Sequence, residues 1–338
     1  MKKLMYICLL CTLILAGCTS NDTNKTWNEE HRLNSLNHTI FEKEDSIDVF
    51  RNVNGNSVLY SLDIDKNTLH QEKKNIHFQK SAVTDVMYYK NNYYHLGVDS
   101  EDGKTLKAKL YVSDLKGNKP TLVYEVAEKE LNVEETLDLP KLVIHKDKIY
   151  MIVFDSLYIG GLEEKPYKVE LENIWNVFVQ DDTLYVFSSE YADKPWTLLE
   201  CDLKGNVKNV LYDHVLVTYV DESFMFYKKT GVEEQEKLYI LNRKNNKEIF
   251  VEDTLNCYGV LYEDGIYVFE TRKNGYTTRT INVMNEEGKI TSKNHNETLT
   301  IELLKNHKIY VNGGGIKDNY IGYFEIKENE ISDLLKLE

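Results

Sequence analysis

Seven recurrences of a Leu-Tyr motif, no helical periodicity between them and an abundance of tyrosine predict an all-β fold, a seven-bladed β-propeller of four-stranded antiparallel blades. The motif reads Leu59-Tyr60-Ser61-Leu62-Asp63, Leu110-Tyr111-Val112-Ser113-Asp114, Leu157-Tyr158-Ile159, Leu198-Leu199-Glu200-Cys201-Asp202, Leu238-Tyr239-Ile240, Thr280-Ile281-Asn282-Val283 and Ile321-Gly322-Tyr323-Phe324. Its second residues, at 60, 111, 158, 199, 239, 281 and 322, lie 51, 47, 41, 40, 42 and 41 residues apart. A period of this length marks stacked supersecondary units. The 338-residue chain holds 24 Tyr and only 4 Pro, as half-buried strands joined by tight turns require.

A second signature precedes the motif in each later unit: Asn92-Tyr93-Tyr94, Lys148-Ile149-Tyr150, Thr183-Leu184-Tyr185, Gly265-Ile266-Tyr267 and Lys308-Ile309-Tyr310, with Ser223-Phe224-Met225-Phe226 in the corresponding place. One unit can be read strand by strand. Residues 174–179 form the first, Gln180-Asp181-Asp182 a turn, 183–188 the second, 189–195 a loop, 196–203 the third, Lys204-Gly205-Asn206 a turn, and 207–212 the fourth. Each such sheet leaves an apolar face that only a neighbouring copy can cover. Two β-sandwiches would have no reason to keep one spacing across both. Residues 38–44 form the innermost strand of the first blade with 330–337 outermost in the last, or the N-terminal strand completes the last blade; the sequence leaves both open. The longest link between blades, Ala127 to Lys141, has spacing compatible with a short helix.

The N-terminus carries an address. Met1-Lys2-Lys3 is followed by a 13-residue mostly apolar run from Leu4 to Ala16 and by Leu15-Ala16-Gly17-Cys18. Thirteen helical residues rise only about 20 Å, short of a bilayer core of roughly 30 Å, so the run reads as a signal peptide. Leu15-Ala16-Gly17-Cys18 resembles the lipobox of bacterial lipoproteins. The resemblance implies cleavage before Cys18, a diacylglyceryl group on its sulfur with further acylation, such as palmitate, and attachment to the outer face of the cytoplasmic membrane. The expected organisation is a lipoprotein signal peptide over 1–17, a flexible tether over 18–37 and the propeller over 38–338. The tether is polar, with Trp27 resting on the body or the membrane surface. Of the remaining cysteines, Cys201 and Cys257 fall in different units, so they are expected to be buried thiols rather than a disulfide.

The repeats, with elements such as Leu-Tyr-x-x-Asp-Leu-Lys-Gly, resemble the low-density-lipoprotein-receptor-like propeller domains of secreted and lipid-anchored Gram-positive proteins. The Gly-His and Trp-Asp marks of the WD40 class, kelch Gly-Gly doublets and sialidase Asp boxes are absent. No residue role carries over from the resemblance.

Net charge is −14, and losing Lys2 and Lys3 with residues 1–17 takes it to −16. No Lys/Arg stripe appears, which excludes a nucleic-acid partner. The expected function is binding or scaffolding by a monomer, with a protein or neutral glycan held on the loop face; no cofactor, metal or catalytic residue is expected. In a propeller the loops joining second to third strands share one face. Here the stretches 98–109, 188–196, 228–237, 271–279 and 312–319 read as long and polar. Tyr191, Trp196 and Tyr276 on these loops, and Trp175 at the start of an inner strand, offer aromatic faces to a sugar or peptide. Arg272, with Arg279, flanks Tyr276 and can grip an anion by forked hydrogen bonds. Asn312-Gly313-Gly314-Gly315 lacks the strand-to-helix context of a phosphate loop and reads as a flexible hairpin. The alternative is a cell-wall glycan or peptide hydrolase whose carboxylates, Asp85 and Glu302, meet at the channel. No Gly-x-Ser-x-Gly or His-Glu-x-x-His motif is present, and His145 and His307 sit singly at turns.

Overall fold

The computed structural model describes residues 40–337 apart from 44–45, 54–55, 75–81, 101–103, 114–119, 131–139, 231–236, 252–255, 273–278, 296–297, 315–318 and 329. Cys18, Trp27 and Tyr276 lie outside the described residues. Blade 1 is β1 (Ile40–Glu42), β2 (Ile47–Val53), β3 (Asn56–Asp63) and β4 (Thr68–Lys74). Blade 2 is β5 (Ala82–Tyr89), β6 (Asn92–Asp99), β7 (Thr105–Ser113) and β8 (Thr121–Glu130). Blade 3 is β9 (Lys141–His145), β10 (Lys148–Val153), β11 (Ser156–Gly161) and β12 (Tyr167–Lys168). Blade 4 is β13 (Ile174–Gln180), β14 (Thr183–Tyr191), β15 (Lys194–Cys201) and β16 (Val207–Tyr212). Blade 5 is β17 (Val215–Val220), β18 (Phe224–Lys229), β19 (Leu238–Asn242) and β20 (Lys247–Val251). Blade 6 is β21 (Asn256–Glu263), β22 (Ile266–Arg272), β23 (Arg279–Asn285) and β24 (Ile290–His295). Blade 7 is β25 (Leu299–Lys305), β26 (Lys308–Gly314) and β27 (Asn319–Lys327), with β28 (Glu330–Ile331) and β29 (Leu335–Lys336) both pairing β27. Every sheet is an antiparallel meander in chain order, and no helix occurs among the described residues.

Turn chemistry sets the register. Lys90-Asn91, Lys146-Asp147, Phe154-Asp155, Ala192-Asp193, Asp264-Gly265 and Asn306-His307 each join two strands with both residues at positive φ. This mirror-image turn matches strand twist and favours Asn, Asp and Gly. Phe154 and Ala192 occupy it against preference, which is why the sequence gives no hairpin signal there. Blade 4 consequently departs from expectation: 189–195 is no loop, because β14 and β15 pair out to Tyr191 opposite Lys194. In the link from Ala127, residues 127–130 continue β8 as strand instead of opening a helix.

The apolar core is seven wedges, one per blade interface. The wedge between blades 7 and 1 holds Ile40, Val49, Tyr310 and Ile321, that between 1 and 2 holds Phe41, Phe50 and Tyr93, and the series continues around the ring. Tyrosine suits such wedges, since its ring fills the apolar layer while its hydroxyl reaches the next blade. Tyr93 donates to Asp48, Tyr267 to Asp221 Oδ2 at 2.8 Å, Tyr167 to the Lys204 carbonyl at 3.2 Å and Tyr124 to the Gly161 carbonyl at 3.4 Å, each across an interface. Counted from their turns, Tyr93 and Tyr267 are second in their strands whereas Tyr94, Tyr150, Tyr185 and Tyr310 are third. The Tyr267 signature is therefore one residue out of line with the others, and it fills the role of Tyr93 instead.

The ring closes by the first of the two expected routes. β1 is the innermost strand of blade 1, and β28 and β29 finish blade 7. Side chains bind the seam. The Ile40 N–H donates to Glu302 Oε2 at 2.8 Å, Arg51 Nη2 donates to the Asn319 carbonyl at 3.2 Å, Lys308 Nζ donates to Asn67 Oδ1 at 2.8 Å, and Lys305 pairs with Glu42 at 2.6 Å.

Candidate functional site

The meander order puts links from second to third strands, and links between blades, at one end of the ring; the other links fall at the opposite end. We call these the loop end and the turn end. Four of the five expected long loops connect strands as read, with 100–104, 230–237, 273–278 and 315–318 lying between them; the blade 4 hairpin is short.

Five inner strands, β5, β13, β17, β21 and β25, each carry one extra residue relative to their partners: Thr84, Trp175, Thr218, Gly259 and Glu302. Such a bulge re-aims a side chain out of the ladder. In β13 the re-aimed residue is Trp175, which is 43% exposed. Its ring meets that of Trp196 edge-on, with centroids 6.4 Å apart, and Trp196 stacks on the fully buried Phe187 at 6.0 Å. The three aromatics form a row from solvent into the wedge between blades 4 and 5. Lys141 Nζ lies 5.9 Å from the Trp175 ring centroid and donates to the Trp175 carbonyl at 2.7 Å, tying blade 3 to the patch. Trp196 has φ 54, a left-handed conformation that costs a bulky residue about 1–3 kcal/mol. Thr197 Oγ1, donating to the Lys194 carbonyl at 2.9 Å, and the His214 N–H, donating to the Pro195 carbonyl at 3.2 Å, hold it there. Around the patch the loop end exposes Asp155, Glu170, Glu172, Asp193 and Asp213, of which Asp213 pairs with Lys194 at 3.4 Å.

The structure thus brings together two of the expected binding residues, Trp175 and Trp196, and moves Trp196 from a loop onto β15. Tyr191 does not join them. It packs in the wedge between blades 3 and 4, on the other face of the sheet from Trp196. Arg272 ends β22 opposite Arg279, and both guanidiniums face Glu270, a residue only 2% exposed: Arg279 at 3.1 Å and Arg272 at 3.6 Å. Arg272 also lies 4.1 Å over the Tyr258 ring. These arginines are committed to the protein rather than spread along a solvated loop. Burial raises the pKa of Glu270 even though Arg279 and Arg272 lower it. Sequence reading missed Glu270; its i, i+2 spacing from Arg272, which puts both on one face of a strand, was the available signal.

Asp85 and Glu302 are both buried and serve as fasteners between inner strands. Asp85 Oδ2 accepts the Leu142 N–H at 2.7 Å and its Oδ1 the Val86 N–H at 2.9 Å, while Glu302 accepts from Ile40. They stand in blades 2 and 7, each turned to the backbone of the next blade. In the Gly-rich run, Asn312, Gly313 and Gly314 end strand β26 and Gly315 lies outside the described residues; Gly313 faces Tyr320, whose ring would lie 2.3 Å from an added Cβ. His145 Nε2 lies 2.9 Å from the Asp181 carbonyl, and His307 is a turn residue at φ 58. Cys201 and Cys257 are free and buried, and burial pushes the Cys201 thiol up to about 12. No group of His, Cys, Asp and Glu arranged to hold a metal occurs among the described residues.

No family model and no curated protein matches the chain. Solved structures do. A protein from Lactobacillus plantarum superposes with a TM-score of 0.54 at 11% identity, over 88% of this chain and 94% of that one. Kluyveromyces lactis Hsv2 gives 0.53 at 10% identity, over 89% and 98%. The WD40 repeats of RRP9 give 0.50 at 8% identity, over 78% and 82%. At these identities the likeness establishes the fold alone: the chain is a seven-bladed β-propeller.

Proposed function

We propose that the protein is a lipid-anchored extracytoplasmic binding or scaffolding module that takes a protein ligand at the loop end, around Trp175. One observation carries this reading: a bulge exposes a tryptophan whose flank is already braced by Trp196, Phe187 and Lys141. A large aromatic held rigid in solvent loses little entropy on contact, which suits it to anchor an interface. The exposed acids around it and the negative net charge favour a partner with a basic surface over an acidic polymer. Anchoring rests on Leu15-Ala16-Gly17-Cys18; two acyl chains meet the requirement for stable attachment.

Crosslinking and pull-down from intact cells tests both parts. Wild type is expected in the membrane fraction with a crosslinked partner, Cys18→Ala is expected in the medium or uncleaved, and Trp175→Ala is expected in the membrane without the partner. Wild-type processing of Cys18→Ala would refute the anchor. An undiminished partner band with Trp175→Ala would refute the binding site.

A further inference from the structure

The geometry points to a loop end that faces the membrane, and to a partner that is the outer basic segment of a membrane-embedded protein; this rests on the reading of Cys18 as the lipid-bearing residue. The direction of β1 sets the orientation. Its link to β2, Lys43 to Ser46, falls at the turn end, so β1 runs from the loop end toward the turn end and the chain arrives at Ile40 from the loop side. β1 is also the innermost strand of its blade, and its first residue is fastened: the buried Glu302 accepts the Ile40 N–H, and Ile40 packs in the wedge between blades 7 and 1. The tether therefore joins the ring near the channel mouth at the loop end, rather than at the outer rim.

Twenty-one residues, 19–39, separate Cys18 from Ile40. A random coil of that length would have a root-mean-square end-to-end distance of about 25 Å. A strand of seven residues spans about 23 Å, so the turn end stands roughly one such length farther from the bilayer than the loop end. Trp175 and its acidic surround lie on the near side. The exposed Asp155, Glu170, Glu172, Asp193 and Asp213 oppose close contact with anionic headgroups, which argues against the lipid surface itself as the occupant. A basic protein segment standing in the same membrane satisfies both constraints, and confinement to one plane raises its effective concentration at the patch.

The test uses the full lipidated protein in vesicles of phosphatidylcholine with a minor fraction of phosphatidylglycerol. A donor dye is placed at Glu172→Cys, at the loop end, or at Lys204→Cys, at the turn end; both native side chains are exposed, and the buried Cys201 and Cys257 stay unlabelled. Energy transfer to a headgroup acceptor is expected to be at least about twofold higher from position 172, since the two sites differ by nearly a strand length. Equal or reversed transfer, with the protein on the vesicles, overturns the orientation. No vesicle association of the lipidated protein overturns the anchor reading instead. In a second arm, vesicles carry a single-span peptide with a short Lys-rich outer segment bearing the acceptor. Transfer from position 172 is expected to exceed that from 204 and to be lost on Trp175→Ala, and transfer indifferent to that substitution would refute the partner class.

Discussion

Trp196 and Trp175 touch, yet substitution should lower stability at only one of them. Trp196 is half-buried, stacked on Phe187 and part of the wedge between blades 4 and 5. Trp196→Ala should therefore lose about 1–3 kcal/mol of stability in urea unfolding, net of the backbone strain it relieves. Trp175 projects from the bulge, so Trp175→Ala should shift stability by no more than about 0.5 kcal/mol, as expected of a surface position. His95 gives a pH signature. It is fully buried in β6 and stacked on Tyr111 at 5.3 Å, and burial pushes its pKa down to about 4 from 6.5. Between those values the unfolded chain binds the proton that the folded one refuses, so this contribution is intact above pH 6.5 and is lost as pH falls toward 4, by about 3 kcal/mol. Chemical unfolding followed across that window should show the decline, and His95→Phe should flatten it; an equal slope in the variant would remove His95 as the cause.

At the scale of the element, the bulges distinguish this sheet set from a plain meander. Gly259 is the extra residue of β21; it has φ 54, and an added Cβ would lie 3.3 Å from Ile301 Cγ1 of blade 7. Gly259→Val should therefore cost about 1–3 kcal/mol through strain at a left-handed position, read as a lower urea midpoint. The bulges were not legible in the sequence, because one inserted residue is lost in a repeat spacing that already varies from 40 to 51 residues. The Leu-Tyr period was legible because it reports the third strand, which lies between two partners in every blade. The blade 4 hairpin was hidden by Ala192 in a turn that prefers Asn or Gly and by Pro195 inside a strand. That error placed Trp196 on a loop, so its contact with Trp175 could not be foreseen, whereas Trp175 itself was placed correctly on the inner strand. Arg272 was misread for a related reason: assigning it to a loop concealed the buried Glu270 beneath it.

For the whole molecule, cohesion depends on every wedge being covered. The seam between blades 7 and 1 is closed by apolar packing, by Glu302 on the Ile40 N–H and by Lys305 on Glu42, and not by exchange of a strand. Glu302→Leu leaves a buried N–H without this acceptor and should cost about 1–3 kcal/mol. Removing blade 7 by ending the chain at Asn296 exposes the wedges on both sides and should yield aggregated protein. A soluble 38–296 fragment with a single cooperative melt would contradict the closed ring.

In the proposed function this ring presents its loop end, with the braced tryptophan, to a protein partner. The direct measurement is the affinity of the crosslinked partner, once purified, for wild type, for Trp175→Ala and for turn-end variants at Asp182 and Lys204. Trp175→Ala should weaken binding by at least about 1 kcal/mol at unchanged melting temperature, with the turn-end variants indistinguishable from wild type. Full affinity in Trp175→Ala, or an equal loss from the turn-end variants, would contradict that function.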